Sequence, residues 1–222
     1  MSDKALMAWS GGKDSALALH EVLAARTHEV TALLTTITKD YDRISMHGVR
    51  TCLLEAQSQS IGIPLEKVFI PRQCTNEQYQ AAMRAVMERQ FAAGIRTVAF
   101  GDVFLADVRR YREENLQKVN MSALFPLWGR DSRELAHRFI ELGFRAILTC
   151  VDTKMLDGAF AGREFDEKFL SDLPAGVDPC GENGEFHTFV YAGPIFREPV
   201  RCQRGEIVLR DERFNYCDLL PV

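Results

Sequence analysis

The stretch LMAWSGGKDSALALH (residues 6–20) joins two different hydrophobic patterns. The short apolar run from Leu6 to Trp9 predicts a buried strand, and the residues after Lys13 repeat apolar positions at helical spacing. Between them lies SGGKDS (residues 10–15). A glycine-rich turn from a strand into a helix lets backbone N–H groups approach an anion, and the helix N-terminus favours negative charge. The stretch therefore predicts a phosphate-binding loop in an α/β chain.

Three side chains of this loop suit phosphate: Lys13 adds a full positive charge, and Ser10 and Ser15 can donate hydrogen bonds. The Walker pattern G-x-x-x-x-G-K-[ST] does not fit, because Asp14 follows the lysine and Met7 stands where the first glycine is needed. The dinucleotide pattern G-x-G-x-x-G does not fit either. A tight strand–helix turn with an incidental lysine is the alternative, and the complete SGGKDS pattern disfavours it.

Strand-like and helix-like segments alternate beyond this loop, with short connections between them. The strand-like runs are VTALLTTI (30–37), LEKVFIP (65–71), IRTVAFGD (95–102), ALFPLW (123–128) and FRAILTCV (144–151). This order predicts an α/β fold with a parallel, doubly wound sheet that is covered on both faces. After about residue 152 the pattern changes to long loops and antiparallel strands, with a turn at Arg204-Gly205. We therefore expect a nucleotide-binding domain at residues 1–120 and a smaller C-terminal α+β substrate domain at 121–222.

The composition narrows the class of protein. The chain has 222 residues, 46% of them apolar, and a net charge of −4 with both signs mixed, which argues against a protein that coats nucleic acid. None of the six cysteines forms a C-x-x-C pair, so reduced thiols in the cytoplasm are expected. No signal peptide is expected at the N-terminus, and no apolar run approaches the length that spans a bilayer.

A second informative stretch is DPCGENGEFHTFVYAGP (residues 178–194), with a doubled Gly-Glu at Glu182 and Glu185. A glycine-containing turn can bring two carboxylates close together, where they can bind Mg²⁺, orient ammonia or act as a base. A solvated loop with ordinary surface glutamates is the alternative.

SGGKDS resembles the pyrophosphate loop of the PP-loop ATP pyrophosphatases. The resemblance implies an adenine-nucleotide α-hydrolase-like, Rossmann-like fold and the use of ATP with Mg²⁺. It also implies that ATP is cleaved between its α and β phosphates, that a substrate oxygen is adenylated, and that a nitrogen or sulfur nucleophile then displaces AMP. The residues of the loop that would bind the nucleotide are Ser10, Gly11, Gly12, Lys13, Asp14 and Ser15.

The doubled Gly-Glu is similar to a motif of the diphthine–ammonia ligase branch of these enzymes. Further matches to that branch are Gly101, Asp107, Arg110, Arg112, Glu114, Asn115, Leu127-Trp128 and Arg130-Asp131, so the resemblance spans nearly the whole chain. It implies transfer of ammonia to the diphthine carboxylate on a modified histidine of elongation factor 2. The chain departs from the ligases at Asn183, where they tend to carry glycine, and at FHT (186–188), where they tend to carry Tyr-Glu-Thr.

These observations give a candidate site. The predicted catalytic residues are Lys13, Glu182 and Glu185; the further nucleotide-binding residues are Thr35, Gly101 and Asp102; and the predicted acceptor-binding residues are Arg110, Arg112, Glu114 and His187. Asp14 and Asp102 are the predicted Mg²⁺ ligands. Simpler roles stay open: Asp102 as a helix cap, the arginines as a solvated helix face, and His47 as a cap-region residue rather than a contact of nucleotide or acceptor. Cys180 is either a nucleophile or, as is more common, a buried thiol.

We expect an ATP-dependent ligase that uses free ammonia, since no glutaminase segment is evident, and the fold class allows a homodimer. Two other functions remain open. A nucleotide-binding sensor would need the phosphate loop but no acceptor chamber. A PP-loop enzyme that thiolates tRNA would need a cysteine pair or iron–sulfur ligands, and the absence of C-x-x-C together with the acidic balance argues against it.

Overall fold

The computed structural model describes residues 3–44 and 48–222, so the predicted site residue His47 lies outside the described residues. The elements in chain order are β1 (Asp3–Ala8), α1 (Lys13–Ala25), β2 (His28–Thr38), β3 (Arg43–Ile44), α2 (Thr51–Ile61), β4 (Leu65–Ile70), α3 (Asn76–Ala92), β5 (Thr97–Ala99), α4 (Ala106–Gln117), β6 (Ser122–Leu124), α5 (Ser132–Glu141), β7 (Arg145–Asp152), a 3-10 turn (Gly158–Phe160), α6 (Glu167–Asp172), β8 (Phe186–Ala192), β9 (Cys202–Arg210) and β10 (Phe214–Pro221). No helix in this part of the chain is long and apolar enough to cross a membrane.

The first sheet, sheet A, confirms the predicted α/β fold. Its parallel strands lie in the order β4-β2-β1-β5-β6, and the short β3 pairs antiparallel with the end of β2. A hydrophobic core lies on each face of sheet A. Consecutive residues of a central strand belong to different cores, because the side chains of a strand alternate between its two faces. Leu6 and Val98 pack with α3 and α4 on one face, whereas Met7 and Ala99 pack with α1, α2 and α5 on the other.

The second sheet, sheet B, is antiparallel, with the strand order β8-β7-β10-β9. Strand β7 was expected as a further parallel strand, and the structure corrects this: it lies in sheet B between β8 and β10. The expected turn at Arg204-Gly205 is also wrong, because both residues lie inside the continuous β9. The chain instead reverses at Asp211 and Glu212, where the backbone takes φ 51° at both residues, the left-handed conformation that hairpin turns require.

Helices α3 and α5 each begin with a side-chain cap. The Thr75 hydroxyl accepts a hydrogen bond from the Gln78 backbone N–H at 3.3 Å, and Gln78 Oε1 accepts one from Thr75 N at 3.0 Å. Asp131 Oδ1 accepts a hydrogen bond from Glu134 N at 2.9 Å and so caps α5. These bonds satisfy N–H groups that the first helical turn leaves without partners.

Candidate functional site

A cavity of about 540 Å³ lies beyond the C-terminal ends of β1 and β5, where parallel sheets usually bind ligands. Loops of sheet B close its other side. Most of the predicted site residues line it: Ser10, Gly12, Lys13, Asp14, Ser15, Thr35, Gly101, Asp102, Arg112, Glu182 and His187. The structure therefore brings the phosphate loop, the strand ends and the loop of the doubled Gly-Glu around one space.

One wall of the cavity is apolar. Tyr79, Met83 and Met87 of α3 form it with Val98 of β5 and with Phe100, which follows that strand. No sequence signal marked these residues as part of a site, because methionines at helical spacing are typical of core residues, and Met87 is indeed buried. An apolar wall opposite a few fixed polar groups is the usual composition of a small-molecule site.

The phosphate loop holds its shape through short local hydrogen bonds. Ser10 Oγ accepts a hydrogen bond from Gly12 N at 3.2 Å, and Ser15 Oγ donates to the Gly12 carbonyl at 2.8 Å. The two serine hydroxyls are 3.2 Å apart. Gly11 has φ +74°, a conformation that glycine adopts without steric cost. Both serines line the cavity, and their hydroxyls lie next to each other in the loop.

Strand β8 of sheet B holds the same loop from outside. The Lys13 backbone N–H donates to Thr188 Oγ1 at 3.0 Å, and the Val190 N–H donates to the Gly11 carbonyl at 2.9 Å. Lys13 is the first residue of α1, so its N–H has no partner within the helix. The second sheet therefore supplies bonds that the phosphate loop cannot make by itself.

Gln57 of α2 completes this attachment and was missed by the sequence analysis. Its Oε1 accepts a hydrogen bond from the Trp9 indole at 2.9 Å, and its Nε2 donates to the carbonyls of Gly11 at 3.0 Å and Val190 at 2.6 Å. The side chain is completely buried. The sequence could have indicated this role, because Gln57 follows Leu53 by four residues and so lies on the apolar face of α2. A polar side chain there needs buried hydrogen-bond partners.

The Lys13 ammonium is buried and takes its partners from both sheets' loops. It is 4% exposed and donates to Asp14 Oδ1 at 2.9 Å, to Asp14 Oδ2 at 2.8 Å and to the Cys180 carbonyl. The Phe186 ring centroid lies 5.4 Å from Nζ. Burial by itself lowers the pKa of Lys13, but the nearby acidic groups, Asp14 above all, together raise the pKa. Lys13 therefore carries its positive charge at neutral pH.

Glu182 faces the cavity and is poised to exchange a proton. Burial raises the pKa of Glu182 to about 7, and the nearby carboxylates of Asp14 and Asp102 add to the increase. The hydrogen bond that Glu182 Oε1 accepts from Val103 N at 2.8 Å acts in the opposite direction. A carboxyl group in a cavity with a pKa near the working pH is suited to general acid–base chemistry.

Glu185, the other glutamate of the doubled Gly-Glu, lies elsewhere. It is completely buried and is not part of the cavity lining. Its Oε1 accepts hydrogen bonds from Asp178 N and Asn183 Nδ2, each at 3.0 Å, and Oε2 has no hydrogen-bond partner among the described residues. The loop thus directs one glutamate into the cavity and folds around the other. The catalytic role of Glu185 stays a prediction.

The end of β5 places Asp102 beside the phosphate loop. Asp102 pairs with Arg112 at 2.8 Å, and the Arg112 guanidinium lies 4.5 Å from the Phe100 ring centroid. At Gly101 an added Cβ would lie 2.7 Å from the Asp14 carbonyl carbon. Only glycine therefore lets this strand end approach the first turn of α1 so closely.

Two predicted acceptor-binding residues of α4 point away from the cavity. Arg110 is 67% exposed and pairs with Asp107 at 2.5 Å, and Glu114 is exposed. Neither belongs to the cavity lining, whereas Arg112 of the same helix does. The acceptor-binding role of Arg110 and Glu114 stays a prediction.

His187 and Cys180 both lie at the sheet B side of the site, and burial changes their proton affinity. Burial, with a smaller effect of the Lys13 charge, lowers the pKa of His187 to about 4, so its ring is neutral at pH 7. Burial raises the pKa of Cys180 to about 12, and its Sγ donates to the Ser132 carbonyl at 3.2 Å. A thiol that stays protonated is a weak nucleophile, so the geometry favours the buried-thiol interpretation of Cys180.

The carboxylates of the cavity fit an Mg²⁺ ion that comes with a nucleotide. Residues 3–44 and 48–222 contain no cluster of three or more metal-binding side chains. Mg²⁺ needs no such cluster, because it is commonly held by one or two carboxylates together with substrate phosphates and water. Asp14 and Asp102 both line the cavity, and both raise the pKa of Glu182. A cation in this space would relieve that repulsion.

The fold and the site together define a class. A mostly parallel sheet, a glycine-rich loop at the N-terminus of the first helix, and a polar and apolar cavity beyond the strand ends are the features of a PP-loop nucleotide-binding protein. Comparison with protein families then gives the particular family. The N-terminal domain model of diphthamide synthase matches residues 3–122, and the C-terminal domain model matches residues 131–219.

Curated relatives agree with these matches. The chain is 26% identical to diphthine–ammonia ligase of Bos taurus, over 90% of this chain and 82% of the relative, and 27% identical to that of Danio rerio, over 91% and 88%. It is 26% identical to that of Schizosaccharomyces pombe, over 90% of this chain but only 36% of that longer protein. The chain belongs to the diphthamide synthase family. It is an ATP-dependent carbon–nitrogen ligase of the PP-loop class.

Proposed function

We propose that this enzyme adenylates an acceptor carboxylate with ATP, releasing pyrophosphate, and then aminates the activated carboxyl group with ammonia, releasing AMP. The observation that supports this most directly is that the phosphate loop and Glu182 line one cavity. A nucleotide held by the loop would lie within reach of a group that exchanges protons near neutral pH. A site that only sensed nucleotide would not need such a group.

In the first step, a carboxylate oxygen of the acceptor attacks the α-phosphorus of ATP, and the bond between this phosphorus and the bridging oxygen breaks. Negative charge then develops on the departing pyrophosphate. The protonated Lys13, the hydroxyls of Ser10 and Ser15, and the N-terminus of α1 are the groups that would stabilise it. Lys13 and Ser15 now donate to Asp14, the Cys180 carbonyl and the Gly12 carbonyl, so these donors would turn toward the phosphates when the nucleotide binds.

In the second step, the ammonia nitrogen attacks the acyl carbon, and the bond from this carbon to the phosphate oxygen of AMP breaks. The new amide forms with release of one proton. We assign this proton to the Glu182 carboxylate, whose pKa of about 7 lets it accept and then lose a proton at neutral pH. The neutral His187 ring lies on the same cavity wall and adds no positive charge that would repel ammonium.

Asp14 and Asp102 are the residues that would hold Mg²⁺ against the nucleotide phosphates. When bound, the ion would neutralise phosphate charge and orient the leaving group. Residues 1–120 then form most of the nucleotide-binding domain, to which β6 (Ser122–Leu124) of sheet A also belongs, and the rest of residues 121–222 form the acceptor domain. The position of Glu182, on a sheet B loop that reaches the cavity, supports this division.

For the acceptor we propose diphthine, the substrate in the name of the relatives, on a translation factor in the cytoplasm. Arg112 is the basic residue of α4 that lines the cavity, so it is the first candidate to contact the acceptor carboxylate. The more exposed Arg110 and Glu114 would contact surrounding parts of a protein acceptor. The proposal includes a homodimer, as expected for this fold.

The proposal is tested by incubating the protein with ATP, Mg²⁺, ammonium and a diphthine-containing translation factor, and by identifying the nucleotide products. We expect AMP and pyrophosphate in equal amounts with the amide. Lys13→Ala should abolish their formation, whereas Lys168→Ala, at an exposed lysine of α6, should not. ADP and phosphate would refute α,β cleavage. ATP binding without any turnover would favour the sensor.

A further inference from the structure

Strand β9 is the outermost strand of sheet B. It pairs with β10 through residues 202–210, and its other edge pairs with no strand in the described part of the chain. An open edge presents a row of backbone N–H and C=O groups that can pair with another strand. β9 is nine residues long, so this edge is longer than those that proteins usually leave unpaired.

Two large apolar side chains lie on this edge and are exposed. Ile207 is 52% exposed and Leu209 is 55% exposed. Ile207 lies opposite Cys217 of β10, which is buried in the core. Residues that lie opposite each other on paired strands share a face of the sheet. Ile207 and Leu209 are therefore on the same face of sheet B as the core, but at its edge, where no core residues of the described part of the chain cover them.

We propose that this edge pairs with the same edge of a second copy, antiparallel and about a two-fold axis at Val208. In that register Ile207 of each copy lies opposite Leu209 of the other. The exposed apolar side chains then cover each other, and the two four-stranded sheets become one continuous sheet. The two-fold axis closes the assembly at two copies, because each copy uses its only β9.

The charges of β9 complement each other in this register and favour a second copy over other partners. Glu206 of each copy lies opposite Arg210 of the other, which gives one attractive pair on each side of the axis. Within residues 3–44 and 48–222, neither side chain forms an ion pair. Charged residues often protect an edge by repelling its own copy. In β9 the residues that face each other across the axis, Glu206 and Arg210, carry opposite charges, so they attract a second copy.

The proposed surface is separate from the nucleotide cavity, since no residue of β9 lines it. Substitutions on β9 can therefore test assembly without touching the groups proposed for catalysis. The dimerisation constant is measured by sedimentation velocity of the full chain over a range of concentrations. We expect a monomer–dimer equilibrium in which Leu209→Lys weakens dimerisation by roughly tenfold or more, since it removes two apolar pairs.

The register is tested by exchanging the charges. Glu206→Arg and Arg210→Glu should each weaken the dimer, because each puts like charges opposite one another on both sides of the axis. The double variant should recover the wild-type constant. Glu141→Arg, at an exposed residue of α5, is the matched control and should leave it unchanged.

A short bismaleimide gives a second test of the two-fold axis. Val208→Cys should be cross-linked to its own copy, because the two residues at position 208 face each other in the proposed register. A protein that stays monomeric at all concentrations would overturn the proposal. So would a dimer that is indifferent to both β9 charge reversals, since it would use another surface, and so would open-ended oligomers.

Discussion

Replacing Gln57 with leucine tests the hydrogen bonds that attach the phosphate loop to the second sheet. The change keeps the buried volume nearly constant but removes one acceptor and two donated bonds. The Trp9 indole N–H then has no acceptor, at a cost of about 1–3 kcal/mol for a buried polar group. The Val190 and Gly11 carbonyls each lose one donor, and Gly11 keeps the bond from Val190 N. We expect the free energy of unfolding to fall by about 2–4 kcal/mol.

Urea unfolding followed by tryptophan fluorescence measures this loss, and isothermal calorimetry with a non-hydrolysable ATP analogue measures the state of the loop. In a chain of this length the predicted loss lowers Tm by about 5–15 °C. Affinity for the analogue should fall as well, because Gly11 is part of the phosphate loop. Gln117→Leu, at an exposed glutamine of α4, is the control. If Gln57→Leu unfolds like this control and binds the analogue normally, the bonds are not what holds the loop.

Further predictions concern the cavity. Gly101→Ala should weaken ATP binding measured by calorimetry, because the new Cβ would lie 2.7 Å from the Asp14 backbone; Gly176→Ala, with no atom within 4 Å of its new Cβ, should bind normally. Turnover should rise with pH as Glu182 loses its proton, at or below about pH 7 because bound Mg²⁺ would relieve part of the repulsion from Asp14 and Asp102, and Glu182→Gln should remove this dependence. Because the folded protein holds the Glu182 proton more tightly than the unfolded chain does, this proton contributes stability that is fully present below pH 4.5, the ordinary pKa of a glutamate. The contribution is lost as the pH rises through about 7. In urea unfolding above pH 7, Glu182→Gln should therefore be more stable than the wild-type protein. Cys180→Ala should retain product formation, because the thiol has a pKa of about 12 and stays protonated.

Local signals in the sequence predicted the elements whose partners are also local. The strand, the glycine-rich loop at Ser10–Ser15 and the helix after it depend on residues within a few positions, and all three are present. The assignment of β7 to a parallel sheet was wrong because the strands that pair with β7 lie far from it in the sequence. β7 is an apolar run like those of sheet A, and only its pairing with β8 and β10 shows that it belongs to the antiparallel sheet.

The doubled Gly-Glu shows the same limit within the site. Its spacing indicates a loop that can hold two carboxylates, but the sequence contains no information on which side of the loop each one faces. That is decided by Asp178 and Asn183, which bond Glu185 inside the loop, and by Val103, which bonds Glu182 at the cavity. The two glutamates therefore differ in their surroundings: Glu182 lines the cavity, whereas Glu185 is completely buried inside the loop.

The second sheet is therefore part of the nucleotide site rather than a cover over it. The Lys13 backbone N–H and its side-chain ammonium are satisfied by Thr188 and the Cys180 carbonyl, and the Gly11 carbonyl by Val190. These are buried polar groups, and each of them would destabilise the fold if it had no hydrogen-bond partner. The phosphate loop follows β1 of sheet A and is thus hydrogen-bonded to sheet B as well, and these bonds place the residues proposed for ATP around the same cavity as the residue proposed to accept the proton of ammonia.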